Sequence, residues 1–285
     1  MPELPQILSR LRNEATRWDA ILELKVLRTP DLAGDLIPLL RDQEWFVRWA
    51  VAEKLGDLGD DQAIRALIPL MSDPDKHVRK NASKALKKFG FKAASDVALQ
   101  LRHRDVKVRV LASEILVGMG PSIVNELERL LPDQHWVAAN RIIDVLWRIG
   151  GKPAEGVLIR AVGIEDVQKN AIVYLGFFKP KDAIPALISA YQKPKLRRLA
   201  LFALTEIGRP ALDHAIKILS LPHTDKESVL KLIEILGPKP AMERIHALAT
   251  KDIYIRNATA EWRRKYPPAV VEAKPVKSGF LGLFG

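Results

Sequence analysis

The sequence predicts an all-α protein built from stacked helical hairpins, on three observations. Apolar residues recur at steps of four, four and three, the spacing that keeps side chains on one stripe of an α-helix. The whole pattern then returns every 29 to 31 residues, a period typical of arrays in which each unit buries its apolar stripe against its neighbours. A glycine closes most copies twelve residues after their start, at Gly59, Gly90, Gly120, Gly150 and Gly208, where a helix stop signal belongs. No segment alternates apolar and polar residues with comparable strength, so no sheet is expected.

In chain order, a loose first copy starts near Thr16 and uses Ala20, Leu24 and Leu27. Six strict copies follow: Val47, Val51, Leu55, Leu58; Val78, Ala82, Leu86, Phe89; Val108, Ala112, Leu116, Met119; Ala138, Ile142, Leu146, Ile149; Val167, Ala171, Leu175, Phe178; and Leu196, Ala200, Leu204, Ile207. Looser copies start near Ser228 (Leu232, Leu236) and Ile255. Terminal units of an array need one polar face, which accounts for their irregularity. A second apolar helix precedes each stripe, as in "LAGDLIPLLRD", "DQAIRALIPLMSD", "ASDVALQLRHRD" and "KDAIPALISAYQK". The unit is therefore helix, turn, helix.

The skeleton of "DQEWFVRWAVAEKLGDLGD" from Asp42 is echoed by "DPDKHVRKNASKALKKFG" from Asp73. With the helix before it, the first copy reads "LIPLLRDQEWFVRWAVAEKL". This resembles the HEAT repeat, L-x-P-L-L-x-D followed by V-R-x-x-A-x-x-x-L. The short period and the "LGDLGD" exit are most similar to the compact subtype named after phycobilisome lyases. The resemblance spans about residues 12–265 and implies a right-handed α-solenoid of about eight to nine hairpins, its concave face lined by the second helix of each unit. It also implies a hydrogen-bonded ladder between units. The turn Asp and helix Arg positions are held by Asp42 with Arg48 and Asp73 with Arg79; Arg17, Arg109, Arg197 and Arg256 hold the Arg position alone. Ala139 and Gln168 stand where the ladder Arg is missing, so the array is expected to bend or loosen there.

Composition narrows the remaining options. The 285 residues contain no cysteine, which excludes disulfides and thiolate metal sites and suits a reducing, cytoplasmic setting. The opening "MPELPQILSRLRNEATRWD" lacks the basic and apolar regions of a secretory signal, and no apolar run of membrane-crossing length is expected. Net charge is +11. Residues 1–150 carry 23 Lys and Arg against 21 Asp and Glu, whereas residues 151–285 carry 22 against 13. The second half is thus the more basic, suited to an acidic partner.

Enzymatic chemistry finds little support. The histidines at 77, 103, 135, 214, 223 and 246 form neither a His-Glu pair nor an H-x-x-x-H spacing, so no metal site and no cofactor is read. Deoxyhypusine hydroxylases, which resemble this repeat in fold, hold iron with repeated His-Glu pairs that this chain lacks. Neither a nucleophile elbow nor a phosphate-binding loop is present. The acids of "GDD" at 59–61 and "EDV" at 165–167 sit at turns, where carboxylates cap helices.

The candidate site is the concave face. Two and six residues after each start, and on the same ridge beyond, the partner-binding candidates are Trp18, Trp49, Lys80, Lys84, Lys88, Asn140, Asp144, Arg148, Lys169, Arg198 and Phe202. Lys80, Lys84, Lys87 and Lys88 make one basic helical stripe; Trp18 and Trp49 occupy equivalent positions in adjacent repeats. Residues 266–277 read as a Pro- and Lys-containing linker, followed by an apolar peptide, 278–285, with Phe280, Leu281, Leu283 and Phe284 as docking residues.

The expected function is a non-enzymatic scaffold that binds an acidic protein partner on this face. One alternative, carried by the resemblance, is a bilin-lyase-like protein or pigment-protein chaperone. A second is a nucleic-acid binder like the HEAT-like DNA glycosylases, opposed by Glu53 and Glu114 among the cations.

Overall fold

The structure is a computed structural model that describes residues 3–29, 31–133, 135–221 and 225–267. Every regular element among them is helical. The chain divides into two compact units, one ending at Phe178 and the other beginning at Lys179. The docking peptide and all of the expected linker except Tyr266 and Pro267 lie outside the described residues, as does His223.

In the first unit, α1 (Leu4–Arg12) pairs with α2 (Arg17–Val26), α3 (Leu32–Leu36) with α4 (Trp45–Leu58), and α5 (Gln62–Leu67) with α6 (Lys76–Phe89). Then come α7 (Phe91–Leu99) with α8 (Val106–Met119), α9 (Val124–Leu130) with α10 (Trp136–Ile149), and α11 (Gly151–Ala161) with α12 (Gln168–Phe178). Second helices also pack on one another in series: α4 on α6, α6 on α8, α8 on α10, α10 on α12. This is an all-α solenoid. The second unit contains α13 (Ile184–Gln192), α14 (Arg197–Ile207), α15 (Arg209–Ile218), α16 (Lys226–Leu236), α17 (Met242–Lys251), α18 (Ile253–Ala258) and α19 (Ala260–Lys265).

The stripes form the core. Val47, Val51 and Leu55 are fully buried, and the first three residues of all six strict copies are no more than 2% exposed. The fourth lies at the helix end and is only half-buried, except Phe89. At about 25 cal/mol per Å² of apolar surface removed from water, such stripes carry most of the favourable free energy of a repeat array.

Local chemistry sets helix length. Just after α3 and α5 the prolines Pro38 and Pro69 remove an amide donor, and the chain tightens into 3-10 turns over Ile37–Arg41 and Ile68–Ser72. In α13 Pro185 falls in the first turn, where no donor is needed, and that helix continues to Gln192. The second helices α4, α6, α8 and α10 are 14 residues each, but α12 and α14 are 11. The difference is an N-terminal turn. Asp75, Asp105 and His135 accept amide hydrogens at the starts of α6, α8 and α10; α4 reaches the same length after Glu44 without a side-chain cap, and the shorter α14 also starts without one, after Leu196.

Gly59, Gly90, Gly120, Gly150 and Gly208 all have φ between 56° and 73°, and so does Lys179, at φ 57°, the residue twelve after Val167. The repeat keeps the left-handed exit even where its residue has a Cβ. The stretch Val106–Leu130 reaches, by length and mean hydropathy of 1.2, what a membrane-crossing helix requires, an exception to the sequence expectation. It is folded as α8 and α9, which Gly120 separates at φ 71°.

Candidate functional site

The ladder residues pack with a geometry finer than the same-repeat pairing. The Arg48 Nη1 donates to the carbonyls of Asp42 (2.7 Å) and Gln43 (2.9 Å), fastening its own inter-helix loop. The other edge of its guanidinium reaches the next hairpin, where Nε and Nη2 hold the Asp73 carboxylate at 2.7 and 3.0 Å. The charged rung is therefore Arg48–Asp73, because a side chain in the first turn of α4 faces both loops. From the end of α1, one hairpin earlier, Arg12 pairs with Asp42 through a single Nη2 contact. Arg79 takes the carbonyls of Asp73 and Pro74 at 2.6 and 2.9 Å, but the residue equivalent to Asp73 in the next loop is His103, so the carboxylate rung ends there. Arg109 bonds the His103 and Arg104 carbonyls, and Arg197 bonds that of Tyr191. Arg17 lies over the Phe46 ring instead, 4.8 Å from its centre.

The structure brings the two tryptophans together. Phe46, buried beneath them, stacks on Trp49 at 5.3 Å and meets Trp18 edge-on at 5.2 Å; the two indoles are 6.4 Å apart. Trp18 stays 65% exposed, and Leu22 and Val26, at helical spacing from it along α2, are equally open.

Next along the face, α6 separates its lysines. Lys88 pairs with Asp57 and Lys92 with Asp61, both on the preceding hairpin. Lys80, Lys84 and Lys87 instead line a groove of about 670 Å³ between α6 and α8, with Lys76, Val106, Lys107 and Val110. None of these five lysines has an ion pair among the described residues. Glu114 is the one acid lining the groove.

Asn140, Asp144 and Arg148 on α10 are engaged in bonds between helices. Asn140 Nδ2 donates to the Trp136 and Asp166 carbonyls at 2.8 and 2.9 Å, and its Oδ1 accepts from Asn170 at 2.9 Å. Asp144 accepts from the Tyr174 hydroxyl at 2.5 Å, and Arg148 donates to Ser113 at 2.8 Å. Burial first, and then Asp144, raise the Tyr174 phenol far above its ordinary range. Trp147 stacks on Tyr174 with centroids 4.8 Å apart. Lys169 is exposed on α12; Arg198 and Phe202 are exposed on α14, in the second unit.

Sequence reasoning missed several of these residues. Lys54 is 1% exposed, and its Nζ donates to the carbonyls of Lys25 and Leu27, both at 2.8 Å, closing the C-terminus of α2. Burial, and then the charge of Arg28, lower its pKa. In the second unit a groove of about 780 Å³ is lined by Lys181, His214, Lys217 and the Arg244–Asp213 pair. Burial, then Lys217, lower the His214 pKa. The stripe rule marks neither: Lys54 lies within α4, but its partners come from the end of α2, and the groove is lined from α13, α15, α17 and the turn before α13. Among the described residues no three His, Asp or Glu side chains are grouped to hold a metal ion.

The family description that matches this chain is that of HEAT repeats, over residues 1–87 and 51–115. No curated protein sequence matches it. Among solved structures, human deoxyhypusine hydroxylase in complex with glycerol is 19% identical, with 81% of this chain and 93% of that one covered at a TM-score of 0.33. The complex of CpcE and CpcF of phycocyanin lyase from Nostoc is 20% identical, covering 83% and 96% at a TM-score of 0.34. An engineered protein is 18% identical, covering 73% and 98% at 0.29.

Proposed function

We propose that this chain, a HEAT-repeat protein, is a non-enzymatic scaffold that binds a protein partner on the face formed by its second helices. The observation that carries this reading is the content of that face. Trp18 and Val110, at equivalent repeat positions, and Leu22, one turn beyond Trp18, are more than half exposed, and the lysines of α6 stand between them. Exposed aromatic and aliphatic anchors beside charged rims are the composition of an interaction surface. A solvated helix ridge has no use for them.

Polar positions on the same ridge, Asn140 and Asp144 above all, are taken up in bonds between neighbouring helices. They stiffen the surface and leave the apolar and cationic groups of α2, α4, α6 and α8 to meet a ligand. The nucleic-acid alternative is opposed by Glu53 and Glu114, which interrupt the cations and repel phosphates.

Because the chain has no cysteine, single cysteines carrying a photo-crosslinker test the reading directly. Placed at Trp18, Lys84 or Val110 in the intact chain, the label should capture one discrete protein. At Arg65, whose side chain is 90% exposed on the first-helix side, it should capture none. Capture at Arg65 and not at the other three would overturn the assignment of the face.

A further inference from the structure

The geometry points to an amphipathic acidic helix as the ligand of the α6–α8 groove. This rests on the scaffold reading and deepens it by naming the chemistry of the partner segment.

Two lines of side chains define the groove. Lys80, Lys84 and Lys87 follow i, i+4, i+7 spacing and so form one cationic line along α6. Across the groove, Val106 and Val110 form an apolar line along α8, 58% and 51% exposed. Lys76 and Lys107 add cations on either side. At the end of α6 and the start of α7 the repeat supplies its own counterions, Asp57 to Lys88 and Asp61 to Lys92. In the groove it supplies only Glu114. Five ammonium groups without an ion pair, beside open valines, are complementary to a ligand carrying carboxylates on one stripe and aliphatic side chains on the next. A helix with Glu at i, i+4, i+7 and Leu on the adjoining stripe presents both lines at the required rise.

Duplex or single-stranded nucleic acid fits this groove less well. Phosphates would satisfy the lysines, but a polyanionic backbone has nothing apolar to set against Val106 and Val110. The lining holds no aromatic ring on which a base could stack.

The test uses the intact chain and a fluorescein-labelled helical peptide of about 18 residues, about 27 Å long at 1.5 Å per residue, with Glu and Leu on adjoining stripes. A scrambled peptide of identical composition serves as the reference, with binding followed by fluorescence anisotropy. The patterned peptide should bind about tenfold more tightly than the scrambled one. The double variant Lys80→Glu/Lys84→Glu should weaken it by about tenfold or more, and Val110→Asp by a similar factor. Lys193→Glu/Lys195→Glu, an equal charge change on an exposed loop of the second unit, should shift it less than about twofold. Unchanged thermal unfolding midpoints confirm that the variants fold.

Equal affinity for both peptides, no effect of Val110→Asp, or equal losses in both charge variants would overturn the proposal in favour of diffuse attraction. Tighter binding of a 20-nucleotide duplex, lost through the same lysines, would overturn it in favour of nucleic acid. Crosslinks at Lys84 to a natural partner, with no binding of the patterned peptide, would remove this inference and leave the scaffold reading standing.

Discussion

Arg48 and Asp73 join two successive hairpins through a two-pronged ion pair, Nε to Oδ2 at 2.7 Å and Nη2 to Oδ1 at 3.0 Å, with both side chains nearly buried. The same guanidinium holds the carbonyls of Asp42 and Gln43. One side chain therefore fixes a loop and the stacking of the next unit on it. Arg48→Met would strand the Asp73 carboxylate, at an expected cost of about 3 kcal/mol in chemical denaturation. Arg48→Met/Asp73→Asn should cost less than the sum of the single changes, since removing both partners leaves no unpaired charge. Additive losses would show that the rung does not couple the hairpins.

Close approach of α4 and α6 makes a second prediction. A Cβ added at Gly56 would stand 2.7 Å from the Cα and Cβ of Ala85, against backbone that has no room to move. Gly56→Ala should destabilise by roughly 1–3 kcal/mol despite the better helix propensity of alanine. Gly118→Ala meets only the flexible end of Lys87 and should be tolerated. Equal unfolding midpoints for the two variants would contradict this packing.

Tyr174 gives a spectroscopic readout. Its hydroxyl is hydrogen-bonded to Asp144 and its phenol pKa is raised by burial and by that carboxylate. Burial also raises the phenol of Tyr191, so the native protein should show two tyrosines fewer ionising near pH 10 than the unfolded chain does, Tyr174 and Tyr191. Tyr174→Phe should remove one of the two, leaving the share of Tyr191, and cost about 1–2 kcal/mol. Ionisation of all native tyrosines near pH 10 would refute the contact.

His214 sets a pH dependence in the second unit. Its folded pKa lies below the ordinary 6.5 through burial and Lys217, so below pH 6.5 the unfolded state takes up a proton before the folded state does. Stability from this group is complete above pH 6.5 and falls as pH drops towards and through the folded value. His214→Gln should flatten that acid limb. In nuclear magnetic resonance titrations, Lys217→Ala should move the ring pKa part of the way back towards 6.5, because burial is the larger cause. A native value above 6.5 would contradict the environment described.

Period carried a large share of the fold into the sequence. Val47, Val78, Val108 and Val167 lie at the heads of buried stripes because a helix of 3.6 residues per turn leaves few other places for them. What crosses between repeats was less legible. Whether Arg48 bonds Asp42 or Asp73 depends on the offset of one loop from the next, a three-dimensional quantity. Lys54 sits inside an apolar helix and reads as surface charge until the carbonyls of Lys25 and Leu27 are brought to it. Of the lysine stripe, the sequence shows the spacing but not that Lys88 is neutralised by Asp57 while Lys80 and Lys84 are left to the groove.

The most direct test of the account is hydrogen exchange on the intact chain, alone and bound to the protein captured at Lys84. Protection gained over α6 and α8, around residues 78–88 and 106–114, is the predicted result. Protection confined to the first helices α5, α7 and α9, with those two segments unchanged, would contradict it.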